Sequence, residues 1–219
     1  MKKVNGKIYS CYFKRCLDVI LALILLVIFF IPMAIVVIAI KIEDKGSVLY
    51  KSKRIGKDLK EIYVYKFRSM KMKREELNSN LSHDEMTTKV GKFIRKTSLD
   101  ELPQIINIFK GDMSFIGPRP WIPDYYDLFN EKQKRRASVK PGITGLAQAK
   151  GRNGISIEDK IKYDLEYIDN ISFKEDIKVV FLTIKSILTK EGAEITESGI
   201  KEELQILKEQ NTIIQLEVK

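Results

Sequence analysis

The chain has 219 residues, 39 Lys and Arg against 29 Asp and Glu, and 44% of it is hydrophobic. That is long and apolar enough for one domain with its own core, with or without an anchor, and it excludes intrinsic disorder. Two cysteines (Cys11, Cys16) and one histidine (His83) exclude a disulfide framework, a zinc centre and two-imidazole chemistry, while a net charge of +10 points to anionic partners.

The first element dominates the chain. Val19 to Ile40 is an unbroken apolar run of 22 residues. As a straight helix it is roughly 33 Å long, enough to cross a hydrocarbon core. Pro32 lies inside it, lacks an N–H and removes the bond to the Ile28 carbonyl, so a break is expected there. Both flanks are basic: Lys2, Lys3, Lys7, Lys14 and Arg15 precede the run, and Lys41, Lys45, Lys51, Lys53, Arg54 and Lys57 follow. Each flank prefers the cytoplasmic side, which a helix that bends and returns satisfies and a spanning helix does not. Pro-kinked spans are common, so both topologies stay open on the residues alone.

Ser47–Arg54 and Glu61–Met70 are rich in β-branched and aromatic residues around the polar turn IGKDLK, which predicts a small hairpin. KREELNSNLSHDEM reads as helix plus loop, and Thr87–Lys96 as a short basic helix. Leu102, Ile105, Ile106 and Phe109 share a helical face that Gly111 ends. GDMSFIGPRPWIP and KPGITGLAQAKGRNG read as loops, Tyr125–Ala137 and Ile157–Asp169 as helices. Phe173–Lys190 is amphipathic, with Ile177, Val180, Phe181, Ile184 and Leu188 on one face. That face suits the headgroup region of a membrane, and equally a protein core. EKQKRRASVK, with Lys132, Lys134, Arg135 and Arg136, reads as a surface helix meeting anionic lipid.

The chemistry gathers in TSLDELPQ, Thr97 to Gln104. Ser98-Leu99-Asp100-Glu101 has the form of a capping box opening the next helix. The same placement suits phosphate chemistry. Asp100 in a first helical turn is held ionised and nucleophilic, and a hard divalent cation bridges Asp100 and Glu101 to phosphate oxygens. Lys66, Arg68, Arg95, Arg119 and Arg152 supply positive charge for those oxygens.

FKRCLDVILALILLV, YKFRSM, RKTSLDELPQIINIFKGDMSFIGPRP, VKPGITGLAQAKGRNGIS and YDLEYIDNIS cover most of residues 12 to 190 in order. In these stretches the chain resembles the bacterial sugar transferases, monotopic phosphoglycosyl transferases that begin membrane glycan assembly. Its short length is similar to that of the small bacillosamine-phosphate transferases. The resemblance implies a two-step reaction: Asp100 attacks the sugar-bearing phosphate of a UDP-sugar, UMP leaves, and polyprenol (undecaprenyl) phosphate takes the phosphosugar from the aspartyl enzyme. It implies Glu101 as partner carboxylate, Mg2+ as cofactor, and Arg95 and Arg119 at the phosphates. It also implies a mostly α, monotopic fold with a small hairpin, a re-entrant helix broken at Pro32 and interfacial helices, on the cytoplasmic face of the bacterial inner membrane. Many members have Ser-Pro at that break where this chain has Ile31-Pro32, and one more apolar residue precedes the proline.

The expected organisation is residues 1–41 as basic segment and membrane helix, 42–192 as catalytic domain with interfacial helices, and 193–219 as a tail matching no family motif. Anionic lipids are expected partners, nucleic acid is not, and a homo-oligomer is compatible with the sequence. The alternative within the enzyme class is a glucose- or galactose-1-phosphate transferase of a capsule or exopolysaccharide pathway. Outside it stand a membrane-tethered scaffold, which the intact Asp-Glu pair opposes, and a tethered nucleic-acid-binding protein, which scattered basic residues oppose.

Overall fold

The computed structural model describes residues 9–71, 83–151 and 154–189. Arg152, most of KREELNSNLSHDEM and the tail from 193 onward therefore lie outside the described residues.

A proline breaks a helix one turn before itself, because the lost bond and the ring clash both fall on the carbonyl four residues back. The membrane run follows that rule. Helix α1 covers Lys14–Ile28, Phe29 leaves the helical path, and α2 covers Phe30–Glu43 with Pro32 in its first turn. The break thus stands at Phe29 rather than at Pro32, and the two helices bend by 60°. No single described helix is long and apolar enough to cross a membrane; the bent pair passes that test only together. Helices of 15 and 14 residues are about 22 and 21 Å long. With both ends at one surface, a 60° bend sinks the apex about 11 Å, a third of a hydrocarbon core. This bent pair fits monotopic membrane association.

The fold is mostly helical with small β elements, as the sequence predicts. Strands β1 (Leu49–Ile55) and β2 (Glu61–Phe67) form a two-stranded sheet across the turn Lys57–Leu59. Helices α3 (His83–Met86), α4 (Lys89–Lys96) and α5 (Gln104–Lys110) follow. Two stretches expected as loops carry structure: β3 (Ser114–Ile116) pairs in parallel with β4 (Gly142–Thr144), and α8 is Leu146–Gly151. The single helix expected over Tyr125–Ala137 is instead α6 (Pro123–Tyr126), α7 (Glu131–Lys134) and a 3-10 turn, Arg135–Ser138. Helices α9 (Ile157–Asp169) and α10 (Phe173–Thr189) stand as predicted.

The chain divides into two compact units. One holds the residues up to Asp18, Lys53–Ile62 and the described residues from Gly111 onward; the other holds Val19–Ser52 and Tyr63–Lys110. In the first, Ile116, Leu146, Tyr167, Ile168 and Val179 form one core, and Ile55, Tyr126, Phe129, Ala137, Ile157 and Ile161 another. The ammonium of Lys14 and the hydroxyls of Tyr9 and Tyr167 all donate to the Asp176 carboxylate, which ties the start of α1 to α10. The packed side of α10 is Asp176, Val179 and Ser186, whereas Phe181 and Leu188 are 68% and 77% exposed. An apolar face turned outward fits the headgroup region and not a core.

The lipid-facing reading of EKQKRRASVK fails at its centre. Arg136 is 1% exposed: its guanidinium donates to Asp164 at 2.5 and 3.0 Å, to the Tyr126 hydroxyl and to the Arg119 carbonyl, and it lies over the Trp121 ring. Arg135 pairs with Asp169 and Lys134 with Glu131. Arg136→Ala leaves the Asp164 carboxylate buried and uncompensated, so a loss of about 3–5 kcal/mol is expected. Chemical denaturation checks it; a loss below 1 kcal/mol contradicts the buried pair.

Candidate active site

The second unit builds its site on the membrane helix. Val36 and Ile40 of α2 pack in one cluster with Phe67 of β2, Ile94 of α4, and Leu99 and Leu102, which bracket the carboxylate turn. The acidic pair thus rests on a floor made partly by the membrane-entering segment. Glu43 and Asp44, at the end of α2, extend the link. Both Glu43 oxygens accept from the Lys89 and Val90 N–H groups at the start of α4, and Asp44 accepts from Arg68 through its side chain and carbonyl.

Asp100 and Glu101 sit in a 3-10 turn, Leu99–Glu101, before α5. The expected capping box is absent: Ser98 has φ 57 and makes no side-chain cap bond, and the α-helix begins only at Gln104. Pro103 accounts for the delay: it has no N–H to offer the Leu99 carbonyl, and the bonds around it are of the tighter three-residue kind, Leu102 N–H to Leu99 and Ile105 N–H to Leu102. The carboxylates therefore answer to neighbouring side chains rather than to a helix dipole.

Those neighbours are Lys66 and Arg95. The Lys66 ammonium stands 2.6 Å from a Glu101 oxygen and 3.9 Å from an Asp100 oxygen. Asn107, fully buried on α5, fixes that approach by accepting from the Tyr65 N–H and donating to the Tyr63 carbonyl, on either side of Val64 in the strand that carries Lys66. Arg95 lies in the last turn of α4 and donates through Nε to the Ser69 hydroxyl at 2.8 Å. Its field reaches Asp100.

Burial pushes the Asp100 carboxyl above the usual range; Lys66 opposes this, Glu101 adds to it, and Arg95 opposes it more weakly. The result is a carboxylate placed where solvation does little to mask its charge. For a metal, the pair offers two hard oxygen donors from one turn. Among the described residues no group of three or more His, Cys, Asp or Glu side chains stands together to hold an ion.

The structure thus brings Lys66, Arg95, Asp100 and Glu101 together. Arg68 has a different place: it is buried in its ion pair with Asp44. Arg119 is exposed on the GPRP loop of the first unit, its carbonyl held by Arg136. Ser69 and Asn107 escaped sequence reasoning. Both stand in stretches that carry the family resemblance, YKFRSM and RKTSLDELPQIINIFKGDMSFIGPRP, but neither is charged, and only the folded contacts show what each holds.

Gly91 allows the α4 approach. A Cβ there would overlap the Ser69 carbonyl, a backbone atom that cannot swing aside. Thr88 caps the same turn by accepting from the Gly91 N–H at 2.8 Å. Gly91→Ala is expected to cost about 1–3 kcal/mol, as α4 and Arg95 are displaced. Thermal unfolding checks this; an unchanged Tm contradicts the packing.

The sequence pattern described as bacterial sugar transferase matches residues 9–190. The chain is 42% identical over 183 residues to the uncharacterized sugar transferase EpsL of Bacillus subtilis, covering 84% of this chain and 91% of that one. It is 44% identical over 194 residues to the galactosyl transferase CpsE of Streptococcus agalactiae (82% of this chain, 43% of that one). It is 40% identical over 181 residues to the UDP-glucose:undecaprenyl-phosphate glucose-1-phosphate transferase of Escherichia coli (78% and 39%). The chain therefore spans less than half the length of the latter two. None of the three names bears out the narrower likeness to bacillosamine-type members. Matched over residues 9–190 and carrying an intact acidic turn, the chain belongs to the bacterial sugar transferase family and is an enzyme of the transferase class.

Proposed function

We propose that the protein transfers a hexose 1-phosphate from a UDP-hexose to polyprenol (undecaprenyl) phosphate at the cytoplasmic face of the bacterial membrane, with Asp100 as nucleophile. The observation that carries this reading is the Asp100–Glu101 turn, set between Lys66 and Arg95 and resting on the membrane helix. A soluble nucleotide sugar and a lipid-borne phosphate meet only at the headgroup plane, and a site built on α2 is placed for both.

An Asp100 oxygen attacks the phosphorus bearing the sugar. The P–O bond to the uridine phosphate breaks and UMP leaves with the electron pair. A phosphate oxygen of the acceptor then attacks the same phosphorus, the Asp100–phosphorus bond breaks, and the carboxylate regains its charge. Lys66 and Arg95 hold positive charge beside the oxygens where it develops. Asp100 and Glu101 would hold Mg2+, which binds readily through one or two carboxylates and substrate phosphates. Bound there, it would neutralise phosphate charge.

The names of the CpsE and Escherichia coli relatives favour galactose or glucose over a bacillosamine-type sugar. UMP release is measured with UDP-glucose, UDP-galactose, UDP-N-acetylgalactosamine and UDP-diacetylbacillosamine, each with undecaprenyl phosphate. Turnover is expected with one of the two plain hexoses. Release only from UDP-diacetylbacillosamine overturns the hexose reading, and no release from any donor overturns the transfer.

A further inference from the structure

Three segments of the first unit bring cations to one place, around a glycine from a fourth. Arg15 comes from the start of α1, Lys57 from the turn between β1 and β2, Gly111 from the end of α5, and Lys140 from the chain before β4. Gly111 is left-handed at φ 95, and the space where a Cβ would stand is bounded by Arg15 Nη2 at 3.2 Å and Lys140 Nζ at 3.4 Å. Two cationic heads therefore stand within about 7 Å of each other, close enough to repel in a partly buried setting.

Asp18 and Asp112 lie in the same field. Asp18 is already committed, accepting from the Ser114 hydroxyl and the Phe115 N–H at 3.1 Å each. Lys140 has no hydrogen bond or ion pair among the described residues. Burial lowers its proton affinity, and Arg15 and Lys57 lower it further against Asp18 and Asp112. Arg15 and Asp112 each have an interaction of their own, and Asp18 is committed, so the charge left to be met is that of Lys140 and of exposed Lys57.

The apolar side chains beside it indicate the kind of anion. Tyr12 and Phe13, just before Arg15, are exposed, as is Leu17. Leu59 is exposed at the turn that carries Lys57, where Asp58 and Leu59 are both left-handed. Exposed apolar residues beside basic ones mark a surface half in lipid and half in the headgroup layer. The anion of that layer is a phosphate ester, which a guanidinium and two ammonium groups suit.

We propose that Arg15, Lys57 and Lys140 hold the phosphate of a membrane lipid at headgroup depth beside Gly111. The occupant is an anionic phospholipid or the polyprenol phosphate itself, which share this chemistry. The second choice rests on the transfer proposed above, so the test reads lipid binding and not turnover.

Flotation of the full chain is measured with vesicles of phosphatidylcholine, phosphatidylcholine with phosphatidylglycerol, and phosphatidylcholine with undecaprenyl phosphate. The wild type is expected to prefer the phosphate-bearing vesicles. Lys140→Gln and Lys57→Gln should each weaken that preference about fivefold and bind pure phosphatidylcholine normally, whereas Lys132→Gln on exposed α7 keeps it. Loss in both anionic arms supports a general lipid-phosphate site; loss only with undecaprenyl phosphate supports the site and names its occupant. A preference unchanged in both variants overturns the proposal, as does equal loss in Lys132→Gln, which reports the overall field. Lys57 is exposed and outside any core, so its variant carries the test if Lys140→Gln does not fold. UMP release, measured separately, reports on the transfer reading alone.

Discussion

Asp100→Asn is expected to abolish UMP release with and without acceptor, by at least ~10³-fold, while leaving the protein as stable as before or more so. The first half follows from chemistry, since an amide cannot displace a phosphate ester through that oxygen. The second follows from burial, which raises the carboxyl above its ordinary range. A group with a raised native pKa binds its proton more tightly folded than unfolded. Its ionisation therefore opposes folding as pH rises from the ordinary carboxylate range through the raised value. The neutral amide avoids that cost. Its advantage should be full at neutral pH and absent in acid, where the native aspartate is protonated as well. Intact-protein mass after mixing with donor and metal should show a phosphohexose adduct on the wild type and none on the variant. Near-normal turnover in Asp100→Asn removes the residue from the mechanism. A marked fall in Tm at pH 7 contradicts a buried carboxylate whose ionisation opposes folding.

Long-period features were legible in the sequence, and short ones were not. The apolar run, the α9 and α10 periodicities and the β-branched strands each repeat often enough to outweigh local noise. Strands β3 and β4 have three residues each, fewer than two periods, and both lie among glycines and prolines that read as loop. The break was legible in kind and nearly in place: Pro32 orphans the Ile28 carbonyl, and the helix breaks at the next residue, Phe29. Arg136 shows the limit of charge-run reasoning. A basic run is solvated by default, and only tertiary contact with Asp164, 28 residues on, takes one member of it inside.

At the site, the sequence named the acidic pair and its cations but not what holds them. TSLDELPQ is dense enough in chemistry to stand out alone. The separation of Arg95 from Arg68 is a matter of geometry: two arginines on neighbouring elements, of which one meets Asp44 and the other Ser69. No spacing rule tells them apart. Nor does the sequence show that Pro103 delays the helix, and with that delay side chains replace the helix dipole as the main influence on Asp100.

That replacement makes a signed prediction. Lys66 is the largest opponent of the upward push on Asp100, Arg95 a smaller one, and Glu101 adds to the push. The first chemical step needs the carboxylate, so the acid limb of kcat for UMP release reports the proton affinity of Asp100. Lys66→Gln should move that limb to higher pH, and Arg95→Gln should move it the same way by less. Glu101→Gln should move it to lower pH, because the neighbouring negative charge is gone. At pH 7 Lys66→Gln should also lose about 10²-fold in kcat, since an ammonium aimed at developing phosphate charge is worth most in a site closed to water. Lys66→Arg keeps the charge in another shape, so its limb should stay near the wild-type position even if its rate falls. The decisive measurement is the ordering across these variants. If the limb stays in place in Lys66→Gln, or shifts the same way in Glu101→Gln as in Lys66→Gln, these side chains do not control the nucleophile, and the limb belongs to another group.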